Sequence, residues 1–494
     1  MADTDPRPRA TEPRARATEP RARAIKSPAA KESPAPPEAT SSDGQSTRLS
    51  LFGATTLVVG SIVGVGIFNL PTSLAAYGPI TLVSMGLTTI GALALAFLFA
   101  SLSRRMPAPG GPYAYARVAF GNKLGFANAW SYWITAWAGN AAIAVGWVLY
   151  VEVFINKGGA KFGSILLVLV GLWIPAFINL SGIKNMGSFQ TVTTIFKFAA
   201  LAFMSIVGLF YIHSANFTPW NVSGGGAINA IGDGMAIALF SYLGVEVASV
   251  AAEKVRDPDR NVPRATLLGT LATAVVYMLS LTAVFGIVPN GKLQEATAPF
   301  STAVNTMFGG TVWGNIMALV VIVSGLGALN GWTMITAEMP RAAAQDGVFP
   351  ARFDRVNSRG MPAFGIVVST ALASIAMLIN YLGADGQTVF TTLILMTGIT
   401  AAIPYGFSAA AQIKWRMADQ KQIDTPRFTR DMIVAVLSVV FSALFIYYSR
   451  NTGHSFWVYW APYFMTVGAL LLGVPVYRSQ RRTMTEPGDV APYR

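Results

Sequence analysis

Apolar stretches long enough to cross a bilayer follow one another along this chain, with almost no charge inside them, and little but a membrane protein can be built from them. A spanning helix needs about 20 consecutive apolar residues. Such runs lie at roughly 51 to 76, 79 to 102, 124 to 155, 163 to 181, 188 to 212, 230 to 252, 265 to 289, 311 to 337, 362 to 383, 387 to 413, 431 to 449 and 456 to 478. They are continuously apolar rather than alternating, and outer-membrane strands would be about half as long, so the expectation is an all-α membrane protein with about twelve helices. Only 12% of the 494 residues are charged, against about 25% in a soluble protein. There is no Cys, which excludes a disulfide scaffold and any thiolate site.

The net charge of +13 suggests nucleic acid until its distribution is considered. With the N-terminus inside, eighteen Lys and Arg fall in cytoplasmic loops, against four in external ones: Lys157, Lys161, Lys292 and Arg450. This bias is the positive-inside rule, and it predicts that both termini are cytoplasmic. Residues 1–48 carry two copies of Ala-Thr-Glu-Pro-Arg-Ala-Arg, at 10–16 and 17–23, and then a Pro/Ser/Ala stretch without an apolar h-region. They read as a disordered cytoplasmic tail and not as a signal peptide. A membrane domain is expected over 49–478 and a second cytoplasmic tail over 479–494.

Subtracting loops and tails leaves Lys197 in the fifth span and Glu246 in the sixth. A charge at the bilayer centre costs about 2.5–3.5 kcal/mol on insertion scales, so both are functional candidates; the plainer alternative is that each ties helices together through backbone carbonyls. Two spans also carry breaks. The first contains Gly60, Gly64 and Gly66 within seven positions, and the sixth carries Phe240-Ser241-Tyr242-Leu243-Gly244-Val245-Glu246 at comparable depth. Interrupted helices at corresponding positions of two five-helix units are the pointer to an inverted-repeat transporter with its site between the breaks. Amides of Val65 and Gly66 after the first break suit a carboxylate, and freed carbonyls suit an ammonium. Together they describe the head group of an amino acid.

At these residues the chain resembles the amino acid-polyamine-organocation superfamily, and within it the bacterial basic amino acid/polyamine antiporters. The likeness runs from about residue 48 to 478 and rests on the glycine motif of the first span, on Pro107 to Asn122, on Gly244 to Pro263 and on Gly331 to Pro350. The last two are similar to the arginine/agmatine antiporters nearly residue for residue. The resemblance implies a LeuT-like 5+5 inverted-repeat fold, with repeats at 49–212 and 230–413 and two extra helices over 431–478. It implies that Ile62, Phe240 and Leu243 offer carbonyls to the substrate ammonium, with Ser241 beside them, and that Val65 and Gly66 hold the carboxylate. Trp332 would stack on the substrate's distal cation. Thr135, Ala136 and Asn140 of the third span, with Thr397 of the tenth, would line its distal end. Tyr132, Glu246 and Lys197 would serve proton coupling or gating.

Three residues depart from the antiporter pattern. Val65 replaces a serine at the carboxylate, and Phe240 replaces a tryptophan lid. Lys197 resembles the lysine of proton-coupled, sodium-independent relatives, whose ammonium stands where sodium-driven members bind a cation. A sodium-independent carrier or exchanger of arginine, lysine or ornithine follows by resemblance. The alternatives are a proton-coupled symporter of neutral amino acids or a polyamine antiporter. A channel would need a continuous polar stripe, which is not seen. An enzyme is disfavoured, since His213 and His454 stand apart without convergent acids. Gly286 to Lys292 mimics a Walker A loop, but Leu293 replaces its Ser/Thr. The partners implied are a small-molecule amino acid and the lipid bilayer, without nucleic acid, metal or cofactor; a homodimer stays open.

Overall fold

The computed structural model describes residues 49–106, 110–250, 255–420, 423–453 and 455–485, without the side chains of 183–192. The predicted tail over 1–48, Pro107 to Pro109, residues 251–254, His454 and the end of the chain from 486 lie outside the described residues. Helices α1 (Leu51–Ile62) and α2 (Gly66–Ala75) make the first span and α3 (Thr81–Arg105) the second. A short α4 (Pro112–Phe120) precedes α5 (Asn122–Val151), α6 (Lys161–Leu180) and α7 (Ile183–Ile206). The sixth span is α8 (Ala227–Leu239), a 3-10 turn (Phe240–Tyr242) and α9 (Val247–Val250), and the seventh is α10 (Pro258–Ile287). Two short helices, α11 (Asn290–Glu295) and α12 (Pro299–Phe308), lead to α13 (Val312–Gln345), α14 (Ala363–Tyr381), α15 (Gly386–Ala418), α16 (Thr425–Tyr448), α17 (Phe456–Leu471) and α18 (Gly473–Gln480).

Eleven of these stretches are long and apolar enough to cross a bilayer, and the described part of α7, Thr193–Ile206, is a further apolar helix. The twelve expected spans are therefore all present, with the first and sixth broken. Several helices run past the apolar windows by one or two turns: α10 starts at Pro258, α13 ends at Gln345 and α15 at Ala418. Hydropathy registers only the hydrocarbon-matched part of a helix, while its hydrogen bonds continue into polar sequence. Caps reinforce two starts. The Ser50 hydroxyl accepts from the Gly53 amide at 3.2 Å, and the Asp385 carboxylate accepts from the Thr388 amide at 3.0 Å.

Apolar residues fill the core and also cover much of the outer surface. α5 is buried over its whole spanning window and packs against α13 and α15. α16 and α17 turn Ile433, Val436, Val440, Phe456 and Trp457 outward, where lipid tails solvate them. The interior also holds hydroxyls and amides. Thr88, Ser131, Asn179, Thr266, Thr270 and Ser408 are buried, and each donates to a backbone carbonyl. In hydrocarbon a polar side chain must find such a partner, and the carbonyl four residues back on its own helix is the nearest. α11 and α12 lie over α2: Thr72 donates to the Ala296 carbonyl at 2.6 Å, and the Phe68 and Phe300 rings meet edge to face at 5.0 Å.

The two breaks touch. α1 ends where Val63 turns extended, at φ −74° and ψ 95°. The sixth span breaks at Leu243, with ψ 136°, followed by Gly244 at φ +106°. A Cβ on Gly244 would lie 3.0 Å from the carbonyl carbon of Ser61 and 3.2 Å from the amide of Ile62. Glycine is needed here twice over, for its conformation and for the approach of one unwound backbone to the other. Gly244→Ala should lower the thermal stability of the solubilised protein by about 1–3 kcal/mol. Gly86→Ala, whose added Cβ meets nothing within 4 Å on α3, should leave it level or slightly raised. Equal melting midpoints for the two variants by tryptophan fluorescence would rule out the strained contact.

Candidate functional site

Unwinding α1 frees three successive carbonyls in the middle of the bundle, and a different helix supplies a donor to each. Lys197 Nζ of α7 donates to the Gly60 carbonyl at 2.9 Å. Trp332 Nε1 of α13 donates to that of Ser61 at 3.1 Å, and Tyr277 Oη of α10 to that of Ile62 at 2.9 Å. Backbone carbonyls at this depth have no water to turn to, so the break persists because these side chains cap it. Lys197 is fully buried, and its reach to a carbonyl is the tie considered for it from sequence. On the other side of the break, α2 begins at Gly66, so the amides of Gly66 and Ile67 fall among the helix's first four donors, which lack intrahelical acceptors.

Around the two breaks lies a small cavity. Of the predicted residues, Ile62, Gly66, Thr135, Phe240, Ser241, Leu243 and Trp332 line it. Phe240 presses on the first break, since a Cβ on Gly66 would sit 2.9 Å from its ring, and it meets Phe390 edge to face at 6.2 Å. Thr135 donates to Thr400 Oγ1 at 3.0 Å, joining α5 to α15 at the cavity wall. Trp332 is held at both ends, its indole N–H on Ser61 and its carbonyl accepting from Thr336 Oγ1 at 2.6 Å.

Four of the predicted substrate-binding residues stand outside that lining. Val65 packs toward Gly325 on α13, while its carbonyl accepts from Asn69 Nδ2 at 3.2 Å. Ala136 is buried in the packing of α5. Asn140 donates through Nδ2 to Thr336 Oγ1 at 3.2 Å, one link from Trp332. Thr397 donates to the Leu393 carbonyl of its own helix at 2.7 Å and turns its methyl toward Gly139. The Ile62 carbonyl lines the cavity but already accepts from Tyr277, leaving one of its two lone pairs for a ligand.

Glu246 lies just past the second break, fully buried. Tyr132 Oη of α5 donates to its Oε1 at 2.7 Å, Tyr405 Oη of α15 donates to its Oε2 at 2.7 Å, and the Gly244 amide approaches Oε2 at 3.3 Å. One carboxylate thus joins the broken sixth span to the third and tenth. Tyr277 and Tyr405 were missed from sequence because only acids and bases were counted at membrane depth, and phenols were not. Ser61, Gly64, Gly139 and Ile143 also line the cavity without having been singled out for it.

A family model described as Amino acid permease matches residues 49–471. Among similar proteins, the putrescine transporter PotE of Haemophilus influenzae is 31% identical over 404 residues, covering 82% of this chain and 92% of the relative. The arginine/ornithine antiporter of Pseudomonas aeruginosa is 30% identical over 427 residues, covering 82% and 87%. The cadaverine/lysine antiporter of Escherichia coli is 28% identical over 373 residues, covering 74% and 84%.

Removing one donor from a buried carboxylate costs more than a neutral hydrogen bond does. Tyr132→Phe and Tyr405→Phe should each destabilise the protein by about 1.5–3 kcal/mol. Most of that loss should vanish in a Glu246→Gln background, because the charge that needed the donor is gone. A double-mutant cycle read by thermal unfolding checks this. Equal losses in both backgrounds would detach the tyrosines from the carboxylate.

Proposed function

The chain belongs to the amino acid permease family, and we propose that within it this protein is a sodium-independent exchanger of cationic amino acids across a cell membrane. The observation that carries the proposal is the meeting of two broken spans around one buried cavity walled by Trp332. Helix-start amides at Gly66 suit the substrate carboxylate, the carbonyls of Phe240 and Leu243 suit its ammonium, and the Trp332 face suits a distal cation. Val65, Ala136, Asn140 and Thr397 act from behind that lining, Asn140 by positioning Thr336 and Trp332. The names of the relatives, covering arginine, ornithine, lysine and two diamines, support a cationic cargo.

Transport proceeds by alternating access, the first, second, sixth and seventh spans rocking against the third, fourth, eighth and ninth. The hydrogen bonds divide along that line. Tyr277 to Ile62 and Thr89 with Tyr242 lie within the rocking group. Trp332 to Ser61, Tyr132 to Glu246 and Asn69 to Gly146 cross it and must be remade in each cycle. Lys197 holds the Gly60 carbonyl where a driving cation would otherwise bind, which supports sodium independence. Glu246 changes protonation as its tyrosines part, and so couples the cycle to pH. The charge bias of the loops supports cytoplasmic termini, with a transporter domain over 49–478 built of repeats at 49–212 and 230–413 and extra helices over 431–478, flanked by cytoplasmic tails.

A second reading, diamine transport, is favoured by the similarity to PotE and differs in needing no carboxylate contact. Proteoliposomes loaded with unlabelled arginine should take up labelled arginine without sodium, with competition by lysine and ornithine and not by alanine. Stronger competition by putrescine than by ornithine would move the assignment to diamines, and a sodium requirement would sink the role given to Lys197. Trp332→Leu should raise the half-saturating arginine concentration by up to about thirtyfold, the equivalent of a desolvated cation–π contact of about 2 kcal/mol. Glu246→Gln should flatten the pH dependence of uptake; an unchanged profile would return this carboxylate to a purely structural tie.

A further inference from the structure

At the end of the bundle that carries the ends of α3 and α15 and the start of α16, a crevice opens between α3, α10 and α16, sharing no lining residue with the cavity at the breaks. Its rim holds Arg104, exposed in the last turn of α3, and Arg430, exposed over 59% of its side chain in the second turn of α16. Its walls are apolar: Phe97 stands two turns up α3 from Arg104, Val434 one turn up α16 from Arg430, and Leu267 faces them from α10. Phe97 and the neighbouring Ile433 are exposed, so the crevice continues onto the face that lipid tails cover.

The charges around the crevice do not cancel. Arg105 pairs with Asp419. The Asp431 carboxylate, which also lines the crevice, accepts from Arg416 Nε at 2.9 Å and from Arg430 Nε and Nη2 at 3.0 and 2.9 Å, with Ser101 Oγ at 3.5 Å. Three guanidiniums thus meet two carboxylates, and Arg104 has no acidic partner among the described residues, so the four arginines outnumber the two acids by two beside an apolar-walled slot. Here the surplus lines a cavity whose inner walls are apolar and whose rim stands one to two helical turns nearer the headgroups. That combination matches a molecule with an anionic phosphate at one end and acyl chains at the other.

We propose that this crevice is a binding site for an anionic phospholipid, its phosphate clamped between Arg104 and Arg430 and its acyl chains lying along Phe97, Leu267 and Val434. Asp431, already satisfied by Arg416, aims one edge of the Arg430 fork and leaves the rest of that side chain to the ligand. The site is independent of what the central cavity carries, and its test reads lipid occupancy rather than transport.

Native mass spectrometry of the delipidated full chain titrated with phosphatidylglycerol reads the site directly. Against wild type, Arg104→Gln combined with Arg430→Gln should raise the lipid concentration for half-occupancy at least about tenfold, the loss of two charges near a headgroup. Arg104→Lys with Arg430→Lys should stay within about threefold, since a phosphate also accepts an ammonium. Arg427→Gln, from an exposed pair with Asp424, should match wild type. Arg104→Gln alone takes no part in the ion pairs of Arg105, Arg416 and Arg430, and it should weaken binding measurably even if the double variant fails to fold. Equal phosphatidylglycerol binding by wild type and Arg104→Gln would overturn the proposal, as would equal retention of phosphatidylcholine. Displacement of the lipid by glycerol 3-phosphate at matched concentration would also overturn it, making the crevice a site for free phosphate esters.

Discussion

A helix broken in the middle of a membrane leaves backbone groups that no water can reach, and that constraint organises this protein. The three carbonyls from Gly60 to Ile62 are answered by Lys197, Trp332 and Tyr277, drawn from the fifth, eighth and seventh spans. Each donor fixes its own helix against the break, so the unwound segment becomes the junction of four spans rather than a weak point. Trp332 is both a cap and a wall of the cavity, so stabilising the break and shaping the site are one act.

The second break is satisfied differently. Gly244 brings the sixth span onto the backbone of Ser61 and Ile62, and Glu246 then reaches back to the third and tenth spans through two phenols. Of the seven spans in the contacts at the two breaks, the first, sixth and seventh fall in the group proposed to rock, and the third and eighth in the group it would rock against. A carboxylate shared across that division suits a coupling role, because its environment must change when the division opens.

Buried charge is handled by two schemes in the same chain. Inside the bundle Lys197 and Glu246 are kept apart and each is satisfied by neutral groups, which leaves either free to respond to a ligand or a proton. At the basic end, Arg105, Arg416 and Arg430 are paired with Asp419 and Asp431, and the exposed Arg104 and Arg430 edge the crevice proposed to hold lipid. The first arrangement suits a moving part and the second a fixed anchor in the interface.

How much of this was legible in the sequence follows from the range of each interaction. Spans, their helical nature and the two breaks rest on runs of neighbouring residues, and hydropathy with glycine placement gave them to within a turn or two. Lys197 and Glu246 stood out because an ionisable group at membrane depth is costly wherever the chain goes next. Their partners did not, since Tyr405 is 159 residues from Glu246 and Lys197 is 137 from Gly60. Nor could position in a motif reveal that Asn140 and Thr397 stand behind the cavity lining, or that Tyr277 takes a lone pair of Ile62. The sequence by itself determined a helical membrane protein interrupted at two places, because lipid permits so few alternatives. Only the tertiary structure decided which donor caps which carbonyl and where the surplus arginines gather, because those contacts form between segments that packing alone brings together.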